Sequence, residues 1–277
     1  MITKIKAFLI HLSISLGLFL VFLYLTKFIW YPSFYFNASG VWNAILIVAF
    51  VDVGLGPILT FVVYKRGKPG LKFDLSMIVL FQISALAWGT WVLYSERPVL
   101  AVYHKDSFYC LSESQTEAAN ANMAAFKKQE GHVVPQVFLS LAKTPQEVEA
   151  RRVALNQLPS DGFRPVLPAY VFGKEFEPIT KDNLSKMMEN ELDIAQAVKS
   201  RVEYQQIWKD FRNRHQNAAQ TYVILPLRCS ATEHLAALDR KTGIIIDSMA
   251  IPSLNTIRQI FLSPQKLHEN RNFLFQN

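Results

Sequence analysis

The residues with the clearest chemical potential lie in the segment FVDVGLGPILT, residues 50–60, inside an otherwise apolar run. This segment places the carboxylate of Asp52 just before Gly54-Leu-Gly56 and Pro57. A carboxylate among apolar side chains can accept hydrogen bonds, bind a cation or carry a proton. A Gly-x-Gly pattern can also mark a phosphate-binding loop, but such a loop follows a strand and opens a helix. The apolar context and the proline that follows argue against a dinucleotide site.

Signatures of catalysis and metal binding are otherwise missing from the sequence. It contains no His-Glu-x-x-His, Gly-x-Ser-x-Gly or Walker motif, and its six histidines have no paired metal-ligand spacing. We expect His11 at the level of the inner headgroups, and the adjacent Glu233 and His234 on the protein surface. We therefore predict that the protein is not an enzyme and has no catalytic residue, metal site or cofactor.

Three apolar runs reach the length of about 20 residues that a membrane-spanning helix needs. They cover residues 7–31, 41–64 and 75–94. The first run is much longer than the apolar core of a signal peptide, about 7 to 15 residues, which favours a retained span. The pattern predicts a membrane domain at residues 1–94, an antiparallel α-helical hairpin bundle of three transmembrane helices, followed by a separate domain at residues 95–277.

The basic residues around these runs predict the orientation in the membrane. They lie before the first run and between the second and third: Lys4, Lys6, Lys65, Arg66, Lys68 and Lys72. Residues 32–40, between the first and second runs, carry no charge. By the positive-inside rule the N-terminus is cytoplasmic and the domain at 95–277 is periplasmic, in a multi-pass protein of a bacterial inner membrane. Because the basic residues flank apolar segments, no nucleic-acid partner is expected.

The depth of Asp52 in the membrane follows from its distance to the outer interface. Asp52 lies ten residues after the interfacial Trp42, which at about 1.5 Å per residue puts it about 15 Å deeper, near the midplane. Counting inward from Trp91 on the third run places Gln82 and Ser84 at nearly the same depth. We therefore predict that Gln82 and Ser84 pack against Asp52.

Three hypotheses explain an acid, two glycines and a proline at the midplane. Pro57 lacks an amide hydrogen and would leave the carbonyl of Val53 without its helical partner, while Gly54 and Gly56 allow another backbone to approach closely. Asp52 either joins the three helices through Gln82, or forms with Gly54, Gly56 and Pro57 a face that receives another transmembrane helix. A proton or ion path is the third hypothesis.

The domain at residues 95–277 has mixed periodicity, which indicates an α+β fold. Residues 98–103 and 108–111 predict a β-hairpin. Further strands are predicted at 133–141, 221–228, 235–238 and 244–249, with a turn at 239–243 in which Gly243 supplies a positive φ. Helices are predicted at 114–129, at 144–158 behind an N-cap at Thr144, and in two stretches within 181–214.

Cys110 and Cys229 are the only cysteines in the chain. The predicted topology places both in an oxidising compartment, where a disulfide between them would close a loop of more than 100 residues. Two buried unpaired thiols are the alternative, and the spacing does not decide between them. No Cys-x-x-Cys motif indicates a redox site.

Several stretches of residues 5–110 resemble the TfpX/TfpZ family of type IV pilin accessory proteins. They occur in order and at similar intervals: IHLSISL at 10–16, FIWYP at 28–32, VDVGLGPILT at 51–60, KFDL at 72–75, QISAL at 82–86 and YSERP at 94–98. The remaining residues carry no motif that matches the family.

The resemblance implies a non-enzymatic inner-membrane accessory factor that chaperones a cognate major pilin before or during pilus assembly. The implied partners are the transmembrane helix and periplasmic head of that pilin, the assembly machinery and membrane lipids. On this hypothesis Asp52, Gly54, Gly56 and Pro57 contact the pilin helix, while Arg97 and Pro98 fix the junction between the two domains. The alternatives are an envelope sensor or regulator and a membrane-tethered periplasmic enzyme of unknown substrate.

Overall fold

The computed structural model of the chain describes residues 3–126, 134–140, 142, 144–156, 172–192, 202–215, 222–229 and 232–251. The chain divides into two compact units, Met1–Arg97 and Pro98–Asn277. The boundary lies three residues later than the predicted 94/95, because the third long helix continues to Ser95.

The first unit consists of helices, three of them long and apolar enough to cross a membrane: Lys4–Trp30, Trp42–Val63 and Leu71–Ser95. The first contains α1 (Lys4–Tyr24) and a π-helical turn (Leu25–Trp30), and α2 (Tyr35–Ala38) follows it. The second contains α3 (Trp42–Ala49), a π-helical turn (Phe50–Leu55) and α4 (Gly56–Val63). The third is the single helix α5 (Leu71–Ser95).

Local capping explains where the first and third helices begin. Thr3 caps α1, because its side chain accepts a hydrogen bond from the Lys6 amide at 3.3 Å, so the helix starts three residues before the predicted position. Gly70 has a φ of 81° and sets the chain direction into α5, which begins at Leu71 and not at Leu75. The predicted third span is therefore one turn too short at its N-terminal end.

The helices of the first unit pack through an aromatic and aliphatic cluster near the connection between the first and second long helices. Tyr31 is only 1% exposed, and its hydroxyl donates a hydrogen bond to the Leu93 carbonyl at 2.8 Å. A side chain on Gly89 would meet Val48 at 2.9 Å, so α5 and α3 are in close contact there. These contacts fix the register between the second and third long helices.

The second unit is built on a mixed sheet that has seven strands among the described residues, in the order β4-β3-β1-β2-β5-β6-β7. The strands are β1 (Leu100–His104), β2 (Ser107–Leu111), β3 (Gln136–Leu139), β4 (Phe176–Pro178), β5 (Tyr222–Cys229), β6 (Thr232–Asp239) and β7 (Ile245–Ala250). β1 pairs in parallel with β3, and β2 with β5, while the other neighbours are antiparallel. The unit is an α+β fold, as predicted.

The described residues of this unit form the α-helices α6 (Glu113–Ala118), α7 (Met123–Phe126), α8 (Pro145–Asn156), α9 (Lys181–Met188) and α10 (Val202–Arg214). Thr144 caps α8 as predicted, because its hydroxyl accepts from the Glu147 amide at 3.2 Å. α10 packs Tyr204 and Phe211 against β5, β6 and β7. Phe126 of α7 belongs to a second cluster with β1 to β4.

The hairpin prediction is confirmed by β1 and β2, which pair in antiparallel register from Leu100↔Leu111 to His104↔Ser107. Lys105 takes a positive φ of 60° in the tight turn. Gly243 also has the expected positive φ, 73°, and its amide donates to the Asp239 carbonyl at 2.8 Å.

The single helix predicted at 114–129 is wrong where the structure describes it. α6 ends at Ala118, and α7 begins only at Met123. Asn120 between them has a φ of 54°, a left-handed conformation that asparagine tolerates and that stops an α-helix. The Ala119 carbonyl is turned outward and accepts a hydrogen bond from the Gly173 amide at 2.9 Å.

Two histidines lie inside the sheet. His104 and His234 are each 3% exposed, so the prediction of a surface position for His234 is wrong. Residue 234 lies in β6, which has strand neighbours on both sides and is buried continuously from 234 to 238. Burial lowers the pKa of both imidazoles to about 4, and the rings are neutral at pH 7.

Candidate functional site in the helical unit

The second long helix changes its hydrogen-bond pattern at the predicted acidic segment. Residues 50–55 form a π-helical turn, in which the Gly56 amide donates to the Val51 carbonyl five residues earlier. In the same pattern the partner of the Asp52 carbonyl would be Pro57, which has no amide hydrogen. The unpaired carbonyl therefore belongs to Asp52 and not, as a regular α-helix would predict, to Val53.

Gln82 of α5 satisfies this carbonyl. Its side-chain Nε2 donates to the Asp52 backbone oxygen at 3.0 Å. The prediction that Gln82 packs beside Asp52 agrees with this contact, but Gln82 bonds the backbone and not the carboxylate. The geometry also fixes the amide orientation, because the atom that faces a carbonyl oxygen must be the donor.

His11 of α1 extends the hydrogen bonds to all three long helices. Its Nε2 donates to Gln82 Oε1 at 2.6 Å, because an amide oxygen only accepts. Its Nδ1 lies 2.6 Å from the Thr60 hydroxyl of α4, which donates to it when the ring is neutral. His11, Thr60, Gln82 and the Asp52 backbone thus form one continuous chain of hydrogen bonds, which we call the polar network.

Gly56 makes room for this network, and Gly54 does not. A Cβ on Gly56 would lie 2.0 Å from Gln82 Nε2 and 2.3 Å from Gln82 Cδ. A Cβ on Gly54 would meet only Phe50, at an ordinary 3.8 Å. Any side chain at position 56 must therefore displace Gln82, whereas position 54 tolerates one.

A cavity of about 480 Å³ lies beside the polar network. We call it the groove, because two apolar stripes border it. The stripe on α1 contains Ala7, Ile10, Ile14 and Leu18. The stripe on α5 contains Leu75, Val79, Ile83 and Leu86. Asp52, Thr60 and Tyr64 of the second helix also line it, together with His11, Ser15 and Gln82.

Asp52 is the polar residue of this groove whose bonding is incomplete. The residue is 5% exposed, and its Oδ1 atom is buried and has no hydrogen-bond partner among the residues that the structure describes. Thr60 and both ring nitrogens of His11 already have partners in the polar network. Asp52 thus brings to the groove a buried acceptor atom that the polar network does not use.

The structure separates the residues predicted to form a helix-binding face. Asp52, Gly56 and Pro57 are buried within the bundle. Asp52 lines the groove, whereas Gly56 closes against Gln82 of the third helix, and neither Gly54 nor Pro57 belongs to the groove lining. Of the predicted face, only Asp52 lines the groove between α1 and α5, and the role of this face in binding another helix stays a prediction.

Ser84 does not join Asp52, contrary to the prediction. It is exposed, and its hydroxyl donates to the Leu80 carbonyl of its own helix at 2.8 Å. Positions two residues apart on an α-helix are rotated by about 200° about its axis, so Gln82 and Ser84 point to opposite sides.

His11, Ser15 and Thr60 were missed as members of the site. His11 packs within the bundle, since both ring nitrogens contact other helices, and its level in the membrane stays a prediction. Two spacings in the sequence could have identified these residues. His11 and Ser15 are four residues apart, and Asp52, Gly56 and Thr60 follow one another at intervals of four. Each set therefore shares one helix face.

The remaining predicted residues lie at or beyond the end of α5. The Arg97 guanidinium stacks 3.7 Å from the centre of the Tyr94 ring and donates to the Tyr94 carbonyl at 2.6 Å. Arg97 ends the first unit, and the buried Pro98 begins the second. Cys110 of β2 and Cys229 of β5 form a disulfide, with their Cα atoms 4.8 Å apart on neighbouring parallel strands.

Comparison with known proteins gives relatives of one kind. The chain is 35% identical over 107 residues to the fimbrial assembly protein of serogroups C1 and C2 of Dichelobacter nodosus, a match that covers 38% of this chain and 81% of that protein. It is 35% identical to the fimbrial assembly protein of serogroup E1 and 34% identical to that of serogroup I of the same organism, and each match covers 38% of this chain and 41% of the relative. No protein-family model matches the chain, and no solved structure matches it. The extent of the first match shows that the chain belongs to the family of fimbrial assembly proteins.

Proposed function

We propose that this protein is a non-enzymatic inner-membrane accessory factor of type IV pilus assembly that holds the transmembrane helix of a pilin subunit in its groove. The groove is the single observation that carries the proposal. Its two apolar stripes each extend over twelve residues, and the eleven rises between their ends correspond to about 17 Å along a helix axis. A third helix that lies between two others offers side chains at the same three- and four-residue spacing as the stripes.

The names of the relatives support the biological setting, since all three are fimbrial assembly proteins. The charge distribution supports an orientation with the N-terminus and residues 64–70 in the cytoplasm. The Cys110–Cys229 disulfide suits an oxidising compartment, and supports a periplasmic location for the second unit. On this proposal the second unit contacts the pilin head while the groove holds the helix.

The test compares pilus formation and pilin capture by two tryptophan variants. Ile14→Trp places an indole in the groove, whereas Ile47→Trp changes a residue of α3 that is 66% exposed and does not line the groove. We expect Ile14→Trp to lose most co-purification of the organism's major pilin from detergent and most surface pili, and Ile47→Trp to retain both. Normal pili in a deletion strain, or no pilin captured by the wild type, would reject the proposed function.

A further inference from the structure

The unpaired Asp52 Oδ1 has a direct consequence for what the groove accepts, provided that the proposed function holds and the groove lies within the membrane. A buried polar atom without a partner is costly in an apolar environment, and the hydrocarbon core supplies no water to satisfy it. Asp52 lines the groove, and its Oδ1 atom is buried without a hydrogen-bond partner among the described residues. A helix in the groove that offers a donor within reach of the short Asp52 side chain would supply this partner.

The chemistry of the groove narrows the class of occupant. A lipid acyl chain or a purely apolar helix fills the stripes but has no hydrogen to donate to Oδ1. We propose that the groove selects a transmembrane helix that carries one side chain with a hydrogen-bond donor, and that Asp52 Oδ1 accepts this hydrogen bond. The stripes supply contact area, and Asp52 supplies the register of the bound helix.

The polar network makes Asp52 a rigid acceptor. Its backbone carbonyl is held by Gln82, which is itself held by His11. The backbone of Asp52 is therefore held relative to both α1 and α5 before any helix binds, which limits Oδ1 to the reach of one short side chain. A donor one turn higher or lower on the occupant, about 5.4 Å away, cannot reach it.

Two variants of Asp52 separate acceptance of a hydrogen bond from charge. Asp52→Asn keeps an oxygen acceptor of the same size, whereas Asp52→Leu removes it. The apparent affinity for the full-length major pilin of the organism is measured in native membranes by photo-crosslinking from position 14, titrated against pilin expression. Position 47, on the outer surface of α3, is the control site.

Asp52→Leu is expected to weaken the apparent affinity about three- to twenty-fold, the range known for single hydrogen bonds between membrane helices, and Asp52→Asn less than about three-fold. Equal affinity of Asp52→Leu and wild type would overturn the inference while leaving the proposed function intact. Equal loss in both variants would overturn it too, because it would indicate an ion pair. A wild-type groove that crosslinks only to lipid or to a second copy would instead reject the proposed function.

A scan on the pilin side keeps the inference testable if Asp52→Leu does not fold. Each polar residue of the pilin transmembrane segment is replaced in turn by leucine and tested against the wild-type groove. One replacement is expected to reproduce the three- to twenty-fold loss, and to add nothing further when combined with Asp52→Leu where that variant folds. If no replacement weakens crosslinking from position 14, the groove does not read a donor.

Discussion

Gly56→Ala should destabilise the helical unit, although alanine is the better helix former. The new Cβ would lie 2.0 Å from Gln82 Nε2, far inside van der Waals contact, so the end of the Gln82 side chain must move away. Movement of this flexible group is sterically cheap, but it breaks the bonds to the Asp52 carbonyl and to His11. The cost is therefore that of lost hydrogen bonds and not of a rigid clash.

The expected loss in the free energy of unfolding follows from these two hydrogen bonds. Hydrogen bonds between membrane helices contribute about 0.6 kcal/mol each on average and at most about 1.7 kcal/mol. Loss of both corresponds to about 1 to 3 kcal/mol in the free energy of unfolding. Alanine regains up to about 1 kcal/mol through helix propensity. Gly54→Ala has the same propensity gain without contacting Gln82, so the difference between the two variants isolates the network.

The assay is equilibrium unfolding of the full chain in mixed detergent micelles, followed by tryptophan fluorescence. We expect Gly56→Ala to be less stable than Gly54→Ala by about 1 to 3 kcal/mol. In a Gln82→Ala background the obstacle is absent, and Gly56→Ala should cost nothing further. Two alanine variants with the same stability, or an undiminished cost of Gly56→Ala after removal of Gln82, would refute the reasoning.

Three further predictions concern the second unit. His104 and His234 have pKa values near 4 in the folded state against 6.5 when exposed, so the unfolded chain binds more protons below pH 6.5. The free energy of unfolding should therefore fall by about 2 kcal/mol per histidine between pH 7 and pH 5. Replacing either histidine with leucine should flatten the pH dependence of the denaturation midpoint. Replacing both cysteines of the disulfide with serine should lower the free energy of unfolding by about 4 to 5 kcal/mol, since the bond joins residues 119 positions apart. Alkylation of both thiols without reductant would contradict this bond. Gly173→Ala should strongly reduce the denaturation midpoint of the second unit, because its Cβ would lie 2.4 Å from the Ala119 carbonyl oxygen, and an unchanged midpoint would contradict this close contact.

The long elements of this protein can be predicted from sequence, because their signals are local. An apolar run of more than 20 residues specifies a long helix whatever its neighbours do. The hairpin of β1 and β2 is similarly local, since strand pattern and turn lie within twelve residues. Errors in these elements lie at their ends, as at Leu71, where Gly70 decides the start.

The site itself depends on contacts between helices and on a local change of helix type, which the pattern of one segment does not reveal. Depth counting assumes a uniform rise, and the π-helical turn at residues 50–55 changes both the rise and which carbonyl is left unpaired. The partnership of His11 and Gln82 depends on the packing of α1 against two other helices. Helical phase, in contrast, is a local property, and it is enough by itself to place Gln82 and Ser84 on opposite sides of their helix.

The disulfide illustrates the same limit. The spacing of Cys110 and Cys229 allows a bond or two thiols, because parallel pairing of β2 with β5 leaves no local trace. Only two residue pairs define that pairing, Phe108↔Leu227 and Tyr109↔Arg228. The bond lies where the sheet changes from its N-terminal strands to its C-terminal ones.

The position of that bond has a consequence for the order of synthesis. β2 is made early, but its neighbour β5 is complete only after 119 more residues have been added. The centre of the sheet therefore stays open while the middle of the chain is still being translated, and contacts between such distant segments form slowly. Formation of the bond between Cys110 and Cys229 marks the end of this interval. A newly made chain whose two thiols have just been oxidised is one in which β2 and β5 have been joined.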